Sequence, residues 1–187
     1  MKAAKAITYT IVTVAILAVL AAIGYFAYSF VRNGQKSFYL SYGNEKIGAG
    51  TSEIELPSNT TVFFTGRTIA GVGDESTQVE NYTVSVVPTQ KLVTAIKYRV
   101  GEEKETYLSG DTDFSKAFKV SKKGATFSVF IPVELELRAA ISEAIGKDLS
   151  SVTGTPTDKG NYFELRVVYA AENATVIIPL TLTLTLV

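Results

Sequence analysis

An uncharged apolar run near the start of the chain restricts the fold more than any other sequence feature. Residues 6–31 contain no charged side chain, and residues 7–31 are mostly Ile, Val, Leu, Ala and Phe. A helix of this length would measure roughly 37 Å, enough to cross a hydrocarbon core of about 30 Å with some tilt. The run therefore predicts one transmembrane helix, with residues 1–31 forming an N-terminal tail and membrane anchor.

A cleaved signal peptide is the alternative interpretation of the same residues. Lys2 and Lys5 would form its basic region and cleavage would follow Ala21, but the apolar run continues for about ten residues beyond that position. A signal anchor retained in the membrane fits better. Arg32 and Lys36 follow the run, so the charge difference across it is small and weakly favours an N-terminus inside the cell. The expected location is the cell membrane, with a single pass and an extracytoplasmic C-terminal domain.

The residue types that are missing exclude several classes of function. The chain has no His, no Cys and no Trp, so it lacks a histidine general base, a thiolate nucleophile and a His/Cys metal site. Its 18 basic and 18 acidic side chains balance, whereas a general nucleic-acid binder needs a basic face. The sequence accordingly predicts no catalytic, cofactor-binding or metal-binding residue, no cofactor and no nucleic-acid partner.

The rest of the chain has the period-two alternation of β-strands. Residues 32–37 are expected to be a linker, and residues 38–187 one mainly β domain, an immunoglobulin-like β-sandwich with one short covering helix. Strands are predicted at residues 38–42, 54–56, 60–65, 82–86, 96–100 with a return strand at Tyr107, 127–131, 163–169 and 176–187.

One helix is predicted at residues 133–145. Glu134 and Glu136 lie in its first turn, where carboxylates suit the helix dipole, and Gly146 is a suitable residue to end it. Its apolar stripe is expected to contain Leu137, Ile141, Ala144 and Ile145. Residues 113–118 could add a single helical turn.

The last predicted strand, residues 176–187, alternates leucine and threonine. Four leucines on one face would be an aggregation hazard if exposed, so they are expected in the core with the threonines outward. The alternative is that this strand is donated to a neighbouring subunit. Pro179 cannot donate to a ladder and is expected on an edge or at a bulge. The leucines are Leu180, Leu182, Leu184 and Leu186, and the threonines are Thr181, Thr183 and Thr185.

Acidic residues cluster at 102–105 and at 134–136, and both groups are typical of solvated positions rather than of an acid–base pair. Asp111 and Asp113, beside Ser109, could supply oxygen ligands to calcium. The favoured interpretation is a turn at Asp111 followed by capping by Asp113. No catalytic or metal-binding role is assigned to any of these residues.

Two segments are longer than ordinary connections. Residues 66–81 (GRTIAGVGDESTQVEN) and 146–161 (GKDLSSVTGTPTDKGN) each run for about 16 residues, where connections of roughly 4–6 are typical. Mobile insertions are the simpler interpretation, although a binding surface would most naturally use these loops.

The order of the segments resembles a known layout. An apolar helix is followed by FYLSYGNEKI, SEIELPSNTTVFF, ENYTVSVVP and DFSKAFKVSKKGATFSVFIP. This pattern is similar to that of a group of functionally uncharacterised single-pass membrane proteins of Gram-positive, clostridia-like bacteria. The resemblance implies a cysteine-poor β-domain outside the cytoplasmic membrane, and it implies neither an activity nor functional residues.

These observations leave three hypotheses for function. The leading one is a non-enzymatic binding or envelope-assembly module, with a protein or a cell-envelope glycan as its partner. The second is a pilin-like filament subunit whose N-terminal helices bundle in the filament core. The third is an enzyme restricted to carboxylate, Ser, Thr, Tyr or Lys chemistry, such as a carboxylate-based hydrolase.

Overall fold

The computed structural model describes residues 37–184, except for 53, 70–74, 101–107 and 147–157. The predicted anchor, residues 1–31, therefore lies outside the described residues. Within them, no helix combines the length and apolar character that crossing a membrane requires. By its contacts the chain divides into two units. The β-domain comprises Ser37–Thr68 and Thr77–Val187, and the other unit lies almost entirely outside the described part.

The β-domain is mainly β and contains two sheets. The strands are β1 (Ser37–Tyr42), β2 (Glu45–Gly48), β3 (Gly50–Thr51), β4 (Thr60–Ile69), β5 (Thr77–Gln78), β6 (Thr83–Pro88), β7 (Ser121–Lys123), β8 (Thr126–Ile131), β9 (Asp158–Tyr169) and β10 (Ala174–Leu184). The helices are α1 (Gln90–Val100) and α2 (Glu134–Ile145). The large sheet has the order β2-β1-β4-β8-β7 with β5 paired to β4, and the small sheet has the order β3-β10-β9-β6.

Side chains from both sheets and both helices form one hydrophobic core. On β4, β8 and β10 every second residue is buried, which is the alternation expected of sheets with one face inward. The large sheet contributes Phe38, Leu40, Val62, Phe64, Phe127, Val129 and Ile131, and the small sheet contributes Phe163, Leu165, Val167, Val176, Ile178, Leu180, Leu182 and Leu184. The fold is β-sandwich-like. The strands predicted at 38–42, 60–65, 82–86, 127–131, 163–169 and 176–187 are confirmed as far as the described residues extend.

The segment between α1 and β7 adds an aromatic cluster to this core. Phe163 is fully buried on β9, and the rings of Phe114 and Phe118 meet it edge-on at centroid distances of 5.0 and 5.2 Å. The amide of Phe118 donates to the carbonyl of Phe114, which closes a hydrogen-bonded turn. This bond spans four residues, so the single helical turn predicted at residues 113–118 is present and does not continue into a helix.

The prediction of a strand at residues 96–100 is wrong, because α1 occupies these residues. Leu92 and Ile96 are both buried, but Thr94 between them is exposed, so the burial follows the helical period and not the alternation of a strand. Thr89 holds the start of α1 against β9: its amide donates to the carbonyl of Tyr162, and its hydroxyl donates to the carbonyl of Asn161. The predicted return strand at Tyr107 lies outside the described residues.

The prediction of a helix at 133–145 is confirmed by α2. Glu134 and Glu136 lie in its first turn, and Gly146 ends it in the left-handed conformation with φ 67°. Leu137 and Ile141 are buried, but Ala144 is exposed, so including Ala144 in the apolar stripe was wrong.

Two other sequence predictions need correction. Residues 54–56 do not form a strand, although Leu56 is buried. A turn at Ser58 and Asn59 follows shortly after them. Residues 66–81 are not one long loop: β4 continues to Ile69, and β5 pairs back on it with Arg67 opposite Gln78. Likewise β9 begins at Asp158, which shortens the second predicted loop.

Candidate functional site

The C-terminal half of β10 has an open edge. On one side β10 pairs with β9 over its whole length. On the other side β3 runs parallel to it and reaches only Val176 and Ile177. The amide of Ser52 donates to the carbonyl of Ile177, at 2.9 Å, and no main-chain bond on this side follows it among the described residues. The small sheet therefore stops in the middle of β10.

The direction of the bond from Ser52 shows which main-chain groups face this edge. Both polar groups of a strand residue point to the same side, and the side alternates along the strand. Since the carbonyl of Ile177 faces β3, Pro179, Thr181 and Thr183 face the open edge in turn. Pro179 has no N–H to leave unpaired there, which confirms the expected edge position. The register shift beside it, between Leu180 and Thr181, leaves the burial alternation of β10 intact.

A cleft of about 530 Å³ lies directly beside this edge. It has three walls, formed by residues 55–58, by the start of α2 and by the edge itself. Its lining side chains are Glu55, Leu56, Pro57, Ser58, Pro132, Val133, Glu134, Leu137, Lys159, Thr181, Leu182 and Thr183. This volume falls in the range of roughly 300–1,000 Å³ that is usual for ligand sites. We call this site the edge cleft.

A tight turn holds the first wall away from β10. Asn59 has a positive φ of 54°, and its amide donates to the carbonyl of Ile131 at 2.7 Å. The chain is thereby tied to the end of β8 in the large sheet, so it must leave the neighbourhood of β10 after Ser52. Pro57 and Pro132 flank this crossing and cannot donate to a ladder there. The cleft forms because the chain crosses here from the small sheet to the large sheet.

The start of α2 carries exposed apolar side chains, of which Val133 lines the cleft. Val133, immediately before α2, is 39% exposed, and Leu135 in the first turn is 74% exposed. They are two of the three large hydrophobic side chains that are exposed among the described residues, the third being Phe63 on β4. Val133 is also the N-cap and offers no side-chain hydrogen bond to the first helical amides. Grouped apolar exposure of this kind is typical of interaction sites.

The charges at the mouth of the edge cleft are solvated. The ammonium of Lys159 lies 3.5 Å from a carboxylate oxygen of Glu55, and these side chains are 64% and 80% exposed. A surface pair of this kind contributes little stability. It also does not provide the apolar environment that a carboxylic acid needs to act as a general acid. The side-chain hydroxyl of Thr181 donates to the Oδ1 of Asn161 at 2.7 Å on the outer face.

Those acidic residues singled out from the sequence that the structure describes do not meet in one place. Asp113 accepts from the amide of Ser115 at 2.9 Å, so its expected capping role is confirmed, and residues 110–111 form the expected turn. Glu136 pairs with Lys119 at 3.6 Å. Residues 102–105 lie outside the described part. In the part that is described, no group of three acidic side chains is placed to hold a metal ion.

A second cleft, of about 640 Å³, lies between α2 and the turn at residues 112–119. Its floor contains small side chains, including Ala117, Ala139 and Ala140. Across it, Lys119 already pairs with Glu136, and the same ammonium lies 4.2 Å from the ring centroid of Phe130. No main-chain edge opens into this cleft, so its features point to a ligand less directly than those of the edge cleft.

Sequence reasoning missed the edge cleft, although one signal was present. A proline within a run of buried strand residues indicates an edge, and Pro179 correctly marked this one. The wall formed by residues 55–58 and the exposure of Val133 depend on contacts that are distant in the sequence. Comparison of the chain with protein-family models, with curated proteins and with solved structures gives no match.

Proposed function

We propose that the protein is a membrane-anchored binding module, non-enzymatic, whose extracytoplasmic immunoglobulin-like β-domain receives a partner protein at the edge cleft. The observation that carries this proposal is the coincidence of an open strand edge, a cleft of about 530 Å³ and the exposed apolar side chain of Val133 at one place. The uncharged run at residues 6–31 supports the anchor, and the two sheets around one core support the sandwich.

A protein partner fits the chemistry of the edge cleft better than a glycan does. Sugar sites usually present aromatic rings, and no aromatic side chain lines this cleft. Its walls instead carry Leu56, Val133 and Leu182, which match apolar side chains of a polypeptide. Interfaces of this type combine an apolar centre with a polar rim, and Glu55 and Lys159 form such a rim here.

We expect a photoreactive group placed in the edge cleft to capture a specific partner in native membranes. The chain contains no cysteine, so Ser58→Cys supplies a single thiol to carry the crosslinker. Ser121→Cys is the matched control, because Ser121 is exposed on the edge strand β7 of the large sheet and does not line the edge cleft. Adding Val133→Arg to Ser58→Cys should lower the crosslink yield about tenfold, since losing an apolar anchor costs about 1.4 kcal/mol or more.

Equal products from the two single-cysteine variants, or no effect of Val133→Arg, would show that the edge cleft is not the binding site. Val133 is partly exposed, so the arginine is expected to leave the fold intact. An unchanged thermal unfolding curve of the full chain in detergent checks this point.

We also expect the β-domain to be accessible from outside the cell. In intact cells, Ser121→Cys should react with a membrane-impermeant maleimide as completely as it does after the cells are opened. A cysteine at Lys2 should react only after opening, because the small charge bias places the N-terminus inside. The reverse pattern would overturn the proposed orientation.

A further inference from the structure

We infer that the edge cleft binds its partner by strand addition: an extended segment of the partner protein pairs with the main chain of β10 at Thr181 and Thr183. This inference rests on the proposed function and specifies the chemistry of the same site. The occupant is a short extended segment of another protein, not a second copy of this chain and not a glycan.

The ladder between β3 and β10 is the first argument. It begins with Gly50 and Thr51, runs parallel to β10, and ends with the bond from Ser52 to Ile177. Beyond that bond, β10 continues for seven more residues to Leu184 and stays paired with β9. An added strand would continue the same ladder beyond Ser52, where residues 54–58 run toward the large sheet instead of along β10.

The main-chain groups of Thr181 and Thr183 are the second argument. Each of these residues directs one N–H and one C=O to the open edge, and both line the cleft. Exposed strand edges readily pair with another chain, and natural proteins usually block them. Here Pro179 blocks only the part nearest β3. The remaining pairing groups open into a shaped cleft instead of into bulk solvent.

The walls of the edge cleft argue for a single segment as the occupant. Residues 55–58 line the same cleft as Thr181 and Thr183, so a whole second sheet approaching β10 in its plane would meet them. Alternate side chains of a strand point to opposite faces, so those on one face would meet Leu56, Val133 and Leu182 while the others face the solvent.

A synthetic one-edged strand tests this pairing. The probe is a seven-residue peptide of alternating threonine and valine, N-methylated at each valine so that only one of its edges can donate. A peptide N-methylated at every residue is the control, because it can donate on neither edge. The full-length chain in detergent micelles should bind the one-edged peptide about tenfold more tightly than the control peptide, as expected when several main-chain hydrogen bonds form.

Two variants at one position separate main-chain pairing from side-chain contact. Thr183→Pro removes the N–H that faces the cleft and spares the pairing with β9, as Pro179 does naturally. Thr183→Val keeps the N–H and changes only the side chain. Thr183→Pro should weaken binding of the one-edged peptide about tenfold, and Thr183→Val should change it by less than about twofold.

Amide hydrogen exchange supplies a measurement that does not depend on the variants. In the unmodified chain, the one-edged peptide should slow exchange at Thr181 and Thr183 and leave Leu182, which faces β9, unchanged. If Thr183→Pro fails to fold, this measurement alone shows whether the peptide pairs with the main chain of β10.

Equal binding of the two peptides, unchanged exchange at both threonines, or a dimer that Thr183→Pro dissociates without peptide would overturn strand addition. Crosslinking from Ser58→Cys would then still report whether the edge cleft captures a partner by its side chains. If neither the peptide pairing nor the crosslink from Ser58→Cys is observed, the proposed function is wrong as well.

Discussion

Phe163→Ala is expected to destabilise the β-domain by about 3–5 kcal/mol, because replacing a buried phenylalanine loses both burial and packing. Phe163 lies on β9 with no exposed surface, and it joins the small sheet to the turn segment through Phe114 and Phe118. The alanine would leave a cavity that two neighbouring rings cannot fill without moving the backbone of that segment. Domains of this size are typically stable by about 5–15 kcal/mol, so the loss would remove much of the total.

Phe63→Ala is the matched control for this prediction. It deletes the same side chain from β4, where the ring is 62% exposed, and is expected to change stability by no more than about 0.5 kcal/mol. Urea denaturation of the full chain in detergent, followed by the tertiary circular dichroism signal, measures both variants. A loss below about 1 kcal/mol for Phe163→Ala would mean that packing in the aromatic cluster contributes little to the stability of the β-domain.

Alkaline pH is expected to weaken the fold through Tyr82. The pKa of Tyr82 is raised to about 12, mainly by burial; a hydrogen bond with the backbone of Gly66 lowers it, and the neighbouring Glu80 makes a smaller upward contribution. Below pH 10 the phenol is neutral in both the folded and the unfolded chain. Above pH 10 the unfolded chain ionises first, so the free energy of unfolding falls until the folded phenol also ionises near pH 12. The expected loss over this interval is roughly 2–3 kcal/mol.

Tyr82→Phe separates this effect from the titration of lysines and the other tyrosines. The variant loses the hydrogen bond in which the phenol donates to the carbonyl of Ala125 at 2.7 Å. That carbonyl keeps its bond from the amide of Gly66, so the cost at neutral pH should be about 1 kcal/mol. Unfolding free energies of both proteins, measured from pH 9 to 12, should approach each other above pH 10 and then cross, because the alkaline loss of the unmodified protein exceeds the cost of the substitution at neutral pH. Parallel curves would show that Tyr82 does not cause the alkaline loss.

Helix α1 includes residues 96–100, for which the sequence pattern predicts a strand, and it shows why a local pattern can be ambiguous. Residues 92–100 contain both a period-two pattern and a helical pattern, and neither is decisive alone. The choice depends on Thr89, whose amide and hydroxyl bind β9 more than 70 residues further along the chain. With its first turn held there, the segment buries Leu92 and Ile96 and leaves Thr94 exposed, whereas a strand would place all three on one face.

The sequence by itself determined the strands that alternate clearly and the helix α2. It also determined the inward face of β10, where Leu180, Leu182 and Leu184 are buried as expected. These features follow from periodicity and from capping residues, which act over a few neighbouring positions. For the same reason, Pro179 could indicate an edge without showing what lies beside it.

Only the tertiary structure decided that an edge cleft exists. It depends on the bond from Ser52 to Ile177, which ends β3, and on the bond from Asn59 to Ile131, which draws the chain to the other sheet. Each bond joins residues more than 70 positions apart, and the cleft is the space left between them. Pairing at that separation is set by the packing of the whole core, so no local pattern in the sequence records it.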